Sequence, residues 1–199
     1  MLLLALPDLF GKMAKYWVFP LQTLVCGGLV IGFWRHYEIR LPKGWLFTVA
    51  VAVLVLVIWI SPQEWLGFSR RTDGFDPNVF PAGSAAYWGT LSLRFLRLVV
   101  VVPFLEEIFW RGFLLRYLIN EDFEKVPFGS FSWMSFGAVT LFFGLAHFGP
   151  DFAAALLTGA LYNLVAIRTR SLSSCILAHA ITNLLLGVYI MTTRQWGFW

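Results

Sequence analysis

Charge is scarce in this sequence. Asp, Glu, Lys and Arg make up 13% of the 199 residues, against 59% apolar residues. A soluble domain carries about 25% charged residues, so a disordered chain is excluded and an ordinary soluble globule is disfavoured. Cysteine is nearly absent. Cys26 and Cys175 each lie inside an apolar stretch, which excludes a disulfide-stapled secreted module and leaves both as small buried hydrophobes. No run of bases exceeds Arg70-Arg71. The net charge of +4 is therefore scattered, and no nucleic acid is expected as a partner. No internal repeat is visible, and no His-Glu-x-x-His helix of a zinc protease is present. The opening residues 1–16 lack a basic residue before their apolar run, and Pro7 and Asp8 interrupt it, so they read as an interfacial lead-in rather than a signal peptide.

What the sequence does have is long apolar runs. Charge-free stretches cover 16–34, 44–63, 126–150, 152–167 and 171–193. A membrane span needs about 20 mostly apolar residues. Residues 85–118 are also helical in pattern, with Pro103 in the middle, and could form one long helix or two. An open sheet cannot satisfy its backbone in lipid. The expected fold is all-α: a polytopic transmembrane bundle of six to seven helices, one integral-membrane domain over 1–199, with the lipid bilayer as partner. The loop 61–84, rich in Pro, Gly and Asp, could form a lid. Counting Lys and Arg on either side gives seven against five, which weakly favours the N-terminus outside.

A charge at mid-membrane costs roughly 2.5–3.5 kcal/mol, so ionisable groups in the spans are functional candidates. They are Glu106, Glu107 and Arg111 in FLEEIFWRGFLL, His147 in FGLAHFG, and His179 with Asn183 in CILAHAITNLLLG. Glu107 and Arg111 are four apart and can pair. Glu106 points about 100° away from Glu107 and stays free for chemistry. His179 and Asn183, again four apart, form a pair of hydrogen-bond donors suited to a developing oxyanion. His147 could take a proton beside Glu106. His36, in a basic loop, reads as solvated. Taken singly, each has a plainer reading: a Glu–Arg clamp, a packing histidine, interhelical asparagine glue. Arg94 and Arg97, three apart, could snorkel or bind headgroups. Phe142, Phe143 and Phe148 read as core or lipid-facing.

The three motifs, Glu106-Glu107-x-x-x-Arg111-Gly112, Phe143-x-x-x-His147 and His179-x-x-x-Asn183, resemble the CAAX-processing and bacteriocin-processing intramembrane protease family, that of the type II CAAX prenyl endopeptidase, over residues 85–195. The flanking sequence further resembles the bacterial branch linked with exosortase sorting systems. The resemblance implies an active site sunk in the membrane of a bacterial inner-membrane, multi-pass endopeptidase. It implies Glu106 and His147 as water activators, His179 and Asn183 as the oxyanion hole, and Glu107 and Arg111 as supporting residues. The implied substrate is a peptide or protein C-terminus.

No cofactor is expected. The alternative is zinc on Glu106, His147 and His179 with an open fourth position, although an oxyanion role accounts for Asn183 and a metal role does not. Two other readings compete: a non-catalytic membrane scaffold or bacteriocin-immunity protein of the same family, and a small transporter with Glu–His proton relays.

Overall fold

A computed structural model describes residues 15–37, 39–69, 74–147 and 149–199. Most of the N-terminal lead-in, Arg70-Arg71 and Phe148 fall outside them. Among the described residues the chain is helical without strands. Six helices form the bundle: α1 (Lys15–Gly32), α2 (Trp45–Glu64), α3 (85–117), α4 (Trp133–Ala146), α5 (Phe152–Thr169) and α6 (Leu172–Thr193).

Among the described residues three helices, α2, α5 and α6, are long and apolar enough to cross a membrane. Leu21, Ile31, Leu46, Leu157 and Val188 face outward, exposed, as they would in a molecule whose solvent is lipid. Exposed Trp45, Trp65, Trp88 and Trp133 sit near helix ends, where amphipathic rings match the headgroup level. The interior holds Val51, Val55, Val139, Phe143, Tyr162 and Cys175, contributed by α2, α4, α5 and α6. Both cysteines are free and buried.

Two expectations need correction. The charge-free stretch 126–150 is not one helix. Pro127 and the left-handed Gly129 (φ +80°) hold 126–132 in a turn, and α4 begins only at Trp133, capped by Ser132. At about 1.5 Å per residue α4 is too short to span a bilayer by itself. Nor does the 61–84 segment begin where expected, because α2 runs through Pro62 to Glu64. Its later part packs down: Phe75 is buried, and Tyr16 donates a hydrogen bond to the Asp76 carbonyl.

The 85–118 stretch resolves as one helix with two widened turns. Arg97–Val101 and Ile108–Leu114 are π-helical, with ordinary α-helix between and around them. Pro103 accounts for part of this. A π turn bonds each N–H to the carbonyl five residues back. Val102 donates to Arg97 in this way, and the next such bond would run from residue 103 to Leu98. Proline has no N–H, so the Leu98 carbonyl is left open. The side chain of Asn183 on α6 fills it, donating from Nδ2 at 2.8 Å.

α4 and α5 are held close by glycine. A Cβ on Gly159 would come within 3.2 Å of Phe143 Cβ and 3.3 Å of the Thr140 backbone. A bare backbone makes that approach without displacing its neighbours, and it brings Phe143 and the end of α4 toward the centre of the bundle.

Candidate active site

One cavity of about 230 Å³ opens between α2, α3, α4, α5 and α6. Its lining includes Glu106, His147, His179 and Asn183, all four residues singled out from the sequence as catalytic. They arrive from three helices, and the packing below them fixes their orientation.

Arg111 is the anchor. It is fully buried, and each side of its guanidinium is used. Nη1 donates to Glu107 Oε1 at 3.1 Å, Nε to Asn163 Oδ1 at 3.1 Å, and Nη2 to the Gly159 carbonyl at 3.1 Å. Its plane also stacks near Phe143 and Tyr162. Asn163 in turn donates to the Phe136 carbonyl and to Thr140. A buried charge is tolerated only when paired and hydrogen-bonded this fully. The Glu107–Arg111 pair read from spacing is present, and it ties α3 to α4 and α5.

Glu107 has a second partner that spacing did not reveal. His179 Nδ1 lies 2.8 Å from the same Oε1. An ionised carboxylate can only accept, so Nδ1 carries the proton. That leaves Nε2 as the free ring nitrogen of His179. The Tyr162 ring lies over the imidazole at 5.3 Å, and the Tyr162 hydroxyl bonds Thr182, which itself reaches the Ala52 carbonyl on α2.

His147 ends α4 as its C-cap residue. Its Nδ1 is 2.9 Å from the Phe143 carbonyl, an acceptor, so Nδ1 again holds the proton and Nε2 keeps its lone pair. The ring lies against Phe143 and meets Trp59 edge-on. Trp59 is fixed by donating to Thr158, another cavity residue.

Glu106 is 5% exposed, and its Oε2 has no hydrogen-bond partner among the described residues. Glu107 next to it also leaves Oε2 without a partner among the described residues, but its Oε1 serves two, Arg111 and His179. A buried carboxylate oxygen without a partner costs roughly 1–3 kcal/mol or more, a cost a bound water or substrate would remove.

Glu106, His147 and His179 are the residues of the zinc alternative. They share a cavity, yet no three His, Cys, Asp or Glu side chains among the described residues are placed to hold a metal ion. Nδ1 of each histidine is bound to Glu107 or to a carbonyl, which leaves each Nε2 with its lone pair.

The sequence reading missed Trp59, Thr158, Tyr162, Asn163 and Thr182, and Asp151, which also lines the cavity. Thr158 and Asn163 interrupt apolar α5 just as His179 interrupts α6. Neither is ionisable, so the rule that flagged His179 passed over them. Cavity walls at 197–199 carried no such signal.

A third correction concerns Arg94. Arg94 does not snorkel. It is 4% exposed, with its guanidinium 4.0 Å from the centre of the Phe19 ring, 5.3 Å from Trp199 and 5.7 Å from Phe75. Its Nε and Nη1, and Nε of Arg97, have no hydrogen-bond partner among the described residues. Cation–π contacts recover about 0.5–2 kcal/mol each, against several for desolvating the ion.

The fold and this site define a multi-pass helical membrane protein with a buried Glu/His/Asn cavity. Residues 87–185, about half of the chain and including Glu106, His147, His179 and Asn183, match the family model described as Type II CAAX prenyl endopeptidase Rce1-like. No curated protein and no solved structure matches the chain.

Proposed function

We propose that this chain is a CAAX-protease-type intramembrane endopeptidase, a member of the family its 87–185 segment matches. The observation that carries the reading is the convergence of Glu106, His147, His179 and Asn183 on one cavity, with a Glu106 oxygen left without an internal partner. The family match supports the reaction class.

Glu106 and His147 Nε2 take a proton from a water, which attacks the scissile carbonyl. The second N–H of the Asn183 amide, not engaged by Leu98, and protonated Nε2 of His179 donate to the oxyanion. Glu107 holds the His179 ring in place through Nδ1. The tetrahedral intermediate collapses, the C–N bond breaks, and the proton held by Glu106 or His147 passes to the leaving amine. Water is the only co-reactant, and no metal is required.

The substrate is a peptide or protein C-terminus presented within the membrane. The bacterial inner membrane, and a place beside an exosortase-type sorting system, extend the sequence resemblance.

The test is cleavage of a quenched peptide library by purified protein in detergent, in chelated and zinc-supplemented buffers. Cleavage that survives chelation and disappears in Glu106→Ala supports the reading. Zinc-dependent cleavage rejects its metal-free chemistry. Cleavage unchanged in Glu106→Ala rejects the site.

A further inference from the structure

Arg94 and Arg97 stand apart from the machinery described above. They share a face of α3, three residues apart, and each repels the other. Arg94 is nine-tenths buried, without a hydrogen bond or ion pair among the described residues, inside a cage of Phe19, Phe75 and Trp199. Rings can shield a guanidinium, but they cannot accept its in-plane hydrogen bonds. Two adjacent cations with unfilled donors call for an anion, and a planar fork of donors matches a carboxylate.

Their position says which carboxylate. Leu98, Val102 and Glu106 line the catalytic cavity along α3, and Arg94 continues that row one turn before Leu98. Trp199 lines the cavity and also stacks on Arg94. Arg97 is within electrostatic reach of Glu106. Arg94 is also about 14 Å along α3 from its first residue, Ala85. A headgroup at the membrane surface would have to sink that far, whereas a peptide lying in the cavity brings its own charge to that depth.

We propose that Arg94 and Arg97 form a carboxylate seat that grips the substrate peptide beyond its scissile bond. This rests on the protease reading of the cavity and adds to it the group by which the peptide is positioned. The carboxylate is supplied by the free α-carboxyl terminus or by an acidic side chain close to it.

The experiment measures binding separately from cleavage. Glu106→Gln protein in neutral detergent is titrated with a fluorescent library of short apolar peptides. The library is made in three forms: free C-terminal carboxylate, C-terminal amide, and amide with an Asp near the end. The free-carboxylate form is expected to bind at least tenfold tighter than the plain amide. That preference should shrink to within about twofold in Arg97→Gln and in Arg94→Met. Recovery of binding by the Asp-bearing amide assigns the seat to carboxylates generally, and failure to recover assigns it to the chain terminus. Because Arg94→Met removes an unpaired buried ion, its thermal midpoint should hold or rise, so a lost preference would not reflect unfolding.

Equal binding of the free and amidated forms, no binding of either, or a preference that persists in both arginine variants overturns the seat. So does Arg94-dependent stabilisation by phosphatidylglycerol without peptide discrimination. The two readings fail separately. Glu106-dependent cleavage that ignores C-terminal charge leaves the protease and removes the seat. Carboxylate-selective binding without cleavage by the native sequence leaves the seat and removes the protease.

Discussion

Glu107 Oε1 lies 2.8 Å from His179 Nδ1 and joins α3 to α6 at the centre of the membrane bundle. The neighbouring glutamates therefore do different work. Glu107 is spent on His179 and Arg111, and Glu106 faces the cavity. One residue of offset on a helix, a rotation of about 100°, separates them.

Replacing each glutamate by glutamine should expose that division. Glu106→Gln keeps the shape and is expected to cost at least about a hundredfold in kcat, with little change in thermal midpoint. Glu107→Gln removes the charge that holds Arg111 and His179, and should lose both activity and stability. Steady-state cleavage and thermal unfolding of the two proteins in one detergent make the comparison. Matching losses of stability would contradict it.

Arg111→Met leaves Glu107 buried beside the site without its main cation. Breaking a buried pair from one side costs about 3–5 kcal/mol. The variant is expected to unfold at markedly lower temperature. Asn163→Leu, which removes the Nε acceptor, should follow with a smaller loss. Unfolding followed by tryptophan fluorescence tests both.

The same geometry explains what could be read in advance. Glu107–Arg111 and His179–Asn183 were legible because each pair lies four apart on one helix, and an ionisable group in an apolar run stands out. The Glu107–His179 bond joins residues 72 apart in sequence, and nothing local specifies it. The π turns were hidden too, since Pro103 announces a disturbance but not its form. Helix α4 was overestimated because 126–132 is as free of charge as a span, and only Pro127 and Gly129 mark it as a turn.

Asn183 has two separable jobs, and Pro103 allows them to be separated. Asn183→Ala should lose activity and also destabilise the bundle by about 1–3 kcal/mol, because the Leu98 carbonyl loses its donor. Adding Pro103→Ala restores a backbone N–H that can reach back along α3. The double variant should regain most of the stability and none of the activity. Unfolding and cleavage assays on the four proteins of this cycle decide the point. Recovered activity would remove Asn183 from the oxyanion role.

Gly159→Val places a branched side chain where a single Cβ already meets Phe143 Cβ at 3.2 Å and the Thr140 backbone at 3.3 Å. Overpacking costs about 1–3 kcal/mol. It should also push α4 outward and carry His147 away from Glu106. Lower activity at a temperature where the variant is still folded is the expected result. Gly137→Ala, on α4 with open space around it, should be silent in both assays.

The widened turn at Arg97–Val101 keeps the two ends of α3 in phase. An α-helix advances each residue by about 100°, and a π turn takes up one extra residue without breaking the rod. The extra residue is spent inside the wide turn. Deleting one residue there, such as Val100, would let α3 relax to ordinary α-helix with Arg94 still in the Glu106 row and the Glu107–Arg111 clamp whole. A deletion in the ordinary α-helix at 102–105 has no such slack and would turn the two halves relative to each other by about 100°. The wide turn is thus the one place in this stretch where α3 can lose a residue and keep its bearings.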